Sequence, residues 1–313
     1  NFCSYCVVPY VRGRETSRHP DAIINEIRQL AESGFKEVTL LGQNVNSYGK
    51  KEELCSFTEL LARISQIEPL LRIRFTTSHP KDFDQDLINA FQSNEKLCDH
   101  IHLPVQSGSN RVLKRMNRKY TKELYLDKVA KLRDTCPDIA ITSDIIVGFP
   151  GESEADFDET LDLIRTIEFD GLFAFKYSDR PNAPAAKFSE KVSDQQMRKR
   201  LQILLEMQDT FTKKKNQALV GTCLSVLTEG FSKRQASGNL NQPHQAVQWT
   251  GRTSTNKIVN FAHGGSPESC DDMAPGQLVN VKIEKAYSHS LWGKPVELKA
   301  AAEKLKGEKS YAA

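Results

Sequence analysis

The sequence predicts an α/β chain of parallel strands with crossover helices, followed by a small all-β domain. Three observations carry that expectation. From residue 1 to about residue 215, short apolar runs alternate with helical stretches at spacings of roughly 25 to 40 residues, as βα units require. After Gly221 the texture changes to short runs rich in β-branched residues, separated by Gly, Ser, Asn and Pro clusters. The chain has 313 residues, which at about 150 per domain fits two domains.

In chain order, strands are expected over 37–42, 71–76, 100–105, 139–148 and 171–177, with amphipathic helices between them. The stretch 21–33 sets Ile23, Ile24, Ile27 and Leu30 near one face and stops at Gly34. The stretch 153–167 opens with Ser153 as N-cap and acids in its first turn. A long helix over 193–219, with Leu201, Leu204, Leu205, Gln208 and Phe211 at helical spacing, leads out of this unit. The strands of the second domain are expected over 223–228, 258–261 and 278–286, and the Ala, Lys and Glu tail as a frayed helix or disordered. The divisions are 1–215, 216–300 and a tail of 301–313.

Composition narrows the function classes. With 39% apolar and 27% charged residues the chain is too apolar for a disordered protein. No run approaches the roughly 18 to 20 apolar residues of a membrane span, and no signal-peptide succession opens the chain, so no membrane and a cytoplasmic location are expected. The net charge of +3 is too small to announce a nucleic-acid partner by itself. Seven cysteines without a secretory signal argue against a disulfide framework. Five of them, Cys55, Cys98, Cys136, Cys223 and Cys270, stand alone and are expected as ordinary thiols; only Cys3 and Cys6 are close enough to act together.

Cys3-Ser4-Tyr5-Cys6 puts two thiols on a tight loop, a spacing compatible with a zinc half-site, a redox dithiol or part of an iron–sulfur ligand set. No second CxxC exists to complete a zinc site, and a thioredoxin-like dithiol belongs to a much smaller domain, so both rivals are disfavoured. His100 and His102 would share one face of a strand and are read as strand packing. No nucleophile-elbow motif supports hydrolysis.

The run from Cys3 to Glu15, CSYCVVPYVRGRE, resembles the second and third cysteines of the CxxxCxxC loop of radical S-adenosylmethionine enzymes, and its continuation resembles their methylthiotransferase branch. The segments LLGQNVNSY (40–48), HLPVQSGS (102–109) and DIIVGFPGE (144–152) match that branch in order and at strand ends. Gly251-Arg252-Thr253 and the run 256–261 are similar to its RNA-binding TRAM domain. The resemblance implies a partial parallel (β/α) barrel of the radical SAM type followed by a small OB-like TRAM domain. It implies a [4Fe-4S] cluster on Cys3, Cys6 and a cysteine two positions before Asn1, with one iron left open to chelate S-adenosylmethionine and pass it an electron. Lacking an initiator methionine, the sequence is expected to continue upstream, into a domain holding a second [4Fe-4S] cluster as sulfur source; this fragment alone is expected to be inactive.

The active face of a parallel barrel lies at the C-terminal strand ends. The expected cofactor contacts are therefore Tyr5 beside the adenine, Gln43, Asn44, Ser78, Gln106, Ser107, Asp144 toward the ribose, and Gly148. For Ser107 and its neighbours a helix-entry turn explains the residues as well; Gly42-Gln43-Asn44 stands where the superfamily carries Gly-Gly-Glu. Arg111, Lys114, Arg115, Arg118, Lys119 and Lys122 fall within an acid-free stretch and suit a phosphate backbone, or a solvated helix face. In the β domain Arg234, Trp249, Arg252 and Lys257 combine charge with an aromatic that can stack on a base or serve the core. The implied reaction is methylthiolation at C2 of dimethylallyl-adenosine beside the tRNA anticodon, with a reducing electron-transfer protein as partner and a monomeric state. Methylthiolation of threonylcarbamoyl-adenosine or of a ribosomal-protein aspartate, and a non-catalytic RNA-binding role, are the alternatives.

Overall fold

The computed structural model describes residues 3–13, 15–50, 52–76, 78–232, 247–263 and 273–296. Arg234, Cys270 and the tail lie outside the described residues. The chain divides into two compact units, Asn1–Thr212 and Lys213–Ala313.

The first unit carries five parallel strands, β1 (Glu37–Leu40), β2 (Arg72–Phe75), β3 (His100–His102), β4 (Ala140–Val147) and β5 (Gly171–Lys176). β1 pairs with β2, and β3, β4 and β5 pair in that order. A parallel bridge between Ile73 and Leu97 joins the two groups into one arc, the open half of a (β/α) barrel. A short α1 (Val8–Arg12) follows the cysteine loop; the helices α2 (Pro20–Glu32), α3 (Phe57–Ser65), α4 (Gln85–Ser93), α5 (Asn110–Arg115), α6 (Lys122–Thr135) and α7 (Glu154–Ile167) pack their apolar residues into the core of the unit, and the long α8 (Asp194–Ala218) leads out of it.

The helix starts follow from local chemistry. Ser56 and Ser153 build capping boxes with Glu59 and Asp156, while Asp84, Ser109 and Thr121 each accept from a first-turn N–H. Apolar residues at helical spacing, Phe57, Leu60, Leu61 and Ile64 of α3 and Leu87, Ile88 and Phe91 of α4, bury against Ile73 and Phe75 of β2. Each such side chain contributes about 1.5–3 kcal/mol on burial.

Alternation along the strands turns the other residues into the arc. On β4, Ser143, Ile145 and Val147 are buried under helices, whereas Thr142, Asp144 and Ile146 are half-exposed on the inner face. Register places Asp144 opposite Phe173 and Ile146 opposite Phe175 of β5. The expected strand over 100–105 is regular only over His100–His102; beyond it pairing with β4 is interrupted, Leu103 N–H still donating to the Thr142 carbonyl and Gln106 bridging to Ile145, since Pro104 has no N–H to give and Gln106 turns into the left-handed region at φ 73°.

The second unit is a closed barrel in the order β10-β8-β7-β6-β9, from β6 (Cys223–Phe231), β7 (Val247–Thr253), β8 (Ile258–His263), β9 (Leu278–Ala286) and β10 (Leu291–Pro295). β7 and β10 are additions to the sequence reading. Their glycines weaken the β pattern yet are required: a Cβ at Gly251 would lie 2.3 Å from the Leu227 carbonyl oxygen, and one at Gly293 2.2 Å from that of Lys282. Val226, Trp249, Val259, Phe261, Val281, Ile283 and Leu291 fill the barrel.

Candidate active site

Cys3 to Cys6 form a turn closed by the Cys6 N–H donating to the Cys3 carbonyl at 3.2 Å. Neighbouring elements pin it. Ser4 N–H donates to the Met116 carbonyl at 2.9 Å and its hydroxyl to the Arg115 carbonyl at 2.8 Å, while Ala185 N–H donates to the Ser4 carbonyl at 2.8 Å. Both thiols remain half-exposed, and burial pushes that of Cys6 up, favouring the neutral form unless a cation is bound. Tyr5 stands between them with its ring edge-on to Phe149 at 6.4 Å.

Tyr5 is also part of the wall of a cavity of about 560 Å³, together with Gln106, Asp144, Ile146, Ala174, Phe175, Lys176, Tyr177, Ser178, Arg180 and Leu201. Its polar lining comes from strand ends. Gln106 is held by backbone bonds on both sides, its N–H to the Asp144 carbonyl at 2.8 Å and its carbonyl accepting from Ile146 at 3.0 Å. That strained φ leaves its side-chain amide at the cavity. Asp144 approaches His102 Nε2 at 3.3 Å, and His102 meets Phe173 edge-on at 5.9 Å. A larger hollow of about 810 Å³ lies between α3 and α4, but it is lined by helix side chains such as Thr58, Gln66 and Asn89 and by no residue of the cysteine turn.

Other expected contacts divide. Ser78 is buried with a hydroxyl that has no hydrogen-bond partner, and the Asn44 side-chain amide donates to Asp82 at 2.7 Å while its oxygen Oδ1 is buried and unpartnered. Orphaned polar atoms at strand ends are what a bound polar ligand would satisfy. Gln43 is exposed. Next to Ser78, Asn46 clamps the His79 backbone through both amide atoms, and burial together with Arg118 pushes the His79 pKa down to about 3, so this imidazole is neutral.

Ser107 requires correction as a cofactor contact. It is fully buried, its hydroxyl lies 3.4 Å from that of Thr160, and it accepts from Ser109 N–H, so it builds the entry to α5. At Gly148 the N–H is taken by the Glu152 carboxylate at 2.6 Å, and a Cβ would strike Met197, so packing explains this glycine. Glu152, just before α7, pairs with buried Arg200 at 2.7 Å.

The arginines of the basic stretch are tied down rather than free. Arg111 pairs with Asp156 and donates to the Gly151 carbonyl at 2.5 Å; Arg115 pairs with Glu190 at 2.8 Å and lies over Phe188. Arg118 is corrected outright as a phosphate contact, because it is 8% exposed and its guanidinium lies against Cys3. Trp249 is corrected too: at 3% exposure it sits in the barrel core, leaving Phe231, tilted against it at 4.9 Å and 57% exposed, and Tyr287 among the described aromatics open to a base. Arg252 bonds Glu229 at 2.8 Å and Asn256 at 3.1 Å, and Lys257 N–H donates to Thr253 at 3.0 Å. The sequence reading passed over Phe173 and Phe175, which project from the inner face at 57% and 54% exposure. Their alternation with smaller residues on a strand otherwise expected to be buried was the available signal.

Two cysteines in a pinned turn, half-exposed and beside a cavity lined by Gln106 and Asp144, fit two ligands of an iron–sulfur cluster with a polar cofactor alongside. Among the described residues no group of three or more His, Cys, Asp and Glu forms a complete metal site. No described helix is long and apolar enough to cross a membrane.

Comparison with known proteins gives the same direction. The Radical SAM superfamily model matches residues 1–164, and the TRAM domain model matches residues 241–296. A tRNA-2-methylthio-N(6)-dimethylallyladenosine synthase of Desulfosudis oleivorans is 55% identical over 293 residues, covering 94% of this chain and 62% of the relative. One of the same name from Caldicellulosiruptor saccharolyticus is 51% identical over 297 residues, covering 95% and 59%. The chain thus spans about three-fifths of the length of these curated relatives. Among solved structures, coproporphyrinogen III oxidase of Escherichia coli, a radical SAM enzyme, aligns with a TM-score of 0.51 at 15% identity, covering 96% of this chain and 69% of that one, a likeness of fold.

Proposed function

This chain belongs to the radical SAM superfamily, and from that premise we propose that it is the radical SAM core and RNA-binding barrel of a tRNA methylthiotransferase acting at C2 of N6-dimethylallyladenosine. The observation that carries the reading is the cysteine turn whose central Tyr5 walls a cavity of about 560 Å³, within a chain more than half identical to two synthases of that name. The relatives' specificity favours this substrate over threonylcarbamoyl-adenosine or a protein aspartate.

Cys3 and Cys6 are the chain's two thiolate ligands to the cluster, and a third cysteine upstream completes the set. When bound, the cluster and S-adenosylmethionine together supply one-electron reductive cleavage of the sulfonium. The chain's own residues bind, orient and exclude water. Tyr5 would pack beside the adenine, its ring edge-on to Phe149. The Gln106 amide and the Asp144 carboxylate face the cavity as ribose and amino-acid contacts, and His102 orients Asp144. Ser78 and Asn44 offer their unpartnered oxygens at the same ends of the arc. Phe173 and Phe175 line the inner face as the apolar approach for a base carrying an alkyl group. The β barrel holds the tRNA through Phe231, Arg252 and Lys257. A second cluster and a reducing partner protein, in the cytoplasm, complete the system.

The test uses the full-length gene product, reconstituted anaerobically and given S-adenosylmethionine, dithionite and tRNA bearing dimethylallyl-adenosine. A methylthio mass gain on that nucleoside, abolished by Cys3→Ala or Cys6→Ala, is the expected result. Cleavage of S-adenosylmethionine with this tRNA unchanged would assign the chain to another substrate.

A further inference from the structure

Arg118 is a buried cation that lacks the carboxylate partner that Arg200 and Arg74, buried elsewhere in the unit, have. Buried Arg200 pairs with Glu152 at 2.7 Å and Glu154 at 2.9 Å, and buried Arg74 with Glu37 at 2.8 Å. The guanidinium of Arg118 instead donates from Nε to the Tyr120 hydroxyl at 2.8 Å, from Nη2 to the Pro104 carbonyl at 2.7 Å and from Nη1 to Cys3 Sγ at 3.4 Å. It also lies 5.1 Å from the centroid of the Tyr120 ring. Among the described residues its partners include no carboxylate, and a phenol is neutral near pH 7, so there the sulfur is the one atom of the set that can carry a full negative charge. A charge that never deprotonates, taken out of water without an anion, is costly, and a fold keeps it where an anion arrives. The imidazole of His79, nearby, is neutral and supplies none.

We propose that Arg118 is the fixed counter-charge of the iron–sulfur cluster, holding one N–H on the Cys3 thiolate and biasing the cluster toward its reduced state. This rests on the assignment of Cys3 and Cys6 as cluster ligands. Three thiolates on a 2+ cluster leave one net negative charge, and one added electron makes it two. A positive charge held against a ligand sulfur stabilises the doubly negative state more than the singly negative one, and a hydrogen bond to the sulfur acts in the same sense. The three directions of the guanidinium fork explain an arginine here: one bond aims at sulfur while two others, to Pro104 and Tyr120, stop the side chain from swinging away. Arg118 is thus a positioning and tuning residue. A role in binding phosphate would require the exposure it lacks.

The experiment is a dithionite titration at poised potentials, read by electron paramagnetic resonance, on the reconstituted full-length gene product, with iron counted in each sample. For Arg118→Gln the ratio of reduced to oxidised cluster at a fixed potential should fall about tenfold, equivalent to about 59 mV for a one-electron couple, with iron content unchanged. Arg118→Lys, which keeps the charge, should recover most of that loss. An unchanged ratio in Arg118→Gln, or an equal fall in both variants, overturns the proposal. If Arg118→Gln holds no iron, Tyr120→Phe decides: it keeps the charge but releases Nε, and a lowered ratio supports the proposal while an unchanged one overturns it. Absence of iron from the wild-type protein would instead remove the cluster assignment itself.

Discussion

Asp156 does more than cap α7. Its carboxylate accepts from Ser109 Oγ at 2.6 Å, Ser153 N–H at 2.7 Å, Ser153 Oγ at 2.6 Å and the Arg111 guanidinium, joining the starts of α5 and α7. Burial alone would raise its pKa, but these bonds from Arg111, Ser109 and Ser153 hold it well below the usual carboxylate range. A depressed folded pKa means stability fully present above the unfolded value, about 3.9, and lost as pH falls through the folded one. Asp156→Asn should therefore cost about 3 kcal/mol at pH 7 and progressively less below pH 4, where the carboxyl of the unfolded wild-type chain takes up its proton while the folded one stays ionised. Urea unfolding at pH 7 and pH 3 measures this; an equal loss at both would show that the charge is not its source.

At the scale of elements, the Gln106 loop depends on one close approach. A Cβ at Gly108 would lie 2.5 Å from the Glu159 carbonyl oxygen and 2.6 Å from Thr160 Cα, both backbone atoms of α7 that cannot swing aside. Gly108→Ala should cost about 2–3 kcal/mol and loosen the loop that presents Gln106. Gly171→Ala, whose new methyl meets only Thr142 Cγ2 at an ordinary 3.6 Å, should cost less than about 1 kcal/mol. Denaturant midpoints of the two variants, read together, test the contrast. The parallel strands were legible in the sequence because strands buried on the helix side read as apolar runs, and the helices because Ser153 and the spacing of Ile24 and Ile27 mark a start and a face. β7 and β10 were not, because Gly251 and Gly293 answer to strands that cross them from elsewhere in the chain. The cysteine turn and Asp144 could be picked out by motif, whereas Arg118 could not be told from its basic neighbours. Its burial follows from a contact with Cys3, 115 residues away, which no local pattern encodes.

On the scale of the whole molecule, each of the two units has its own apolar core, one packed on the parallel arc and the other around Trp249. A change confined to one core should then separate the two proposed tasks. Trp249→Ala removes a side chain that is 3% exposed and should cost the barrel about 3–5 kcal/mol. In a calorimetric scan of the full-length gene product, the transition of the second unit should move down while that of the first stays in place. Iron content and reductive cleavage of S-adenosylmethionine should persist, because the cysteine turn is pinned wholly within the first unit by Met116, Arg115 and Ala185. Affinity for tRNA, measured by fluorescence anisotropy at a temperature where only the variant barrel is unfolded, should fall at least about tenfold, and its dependence on salt should become shallower as phosphate contacts are lost. Unchanged affinity with the barrel melted would place tRNA recognition in the first unit, on the side of the arc where Phe173 and Phe175 are exposed. A joint loss of iron and tRNA binding would show that the units unfold as one, since neither core alone then sustains its task.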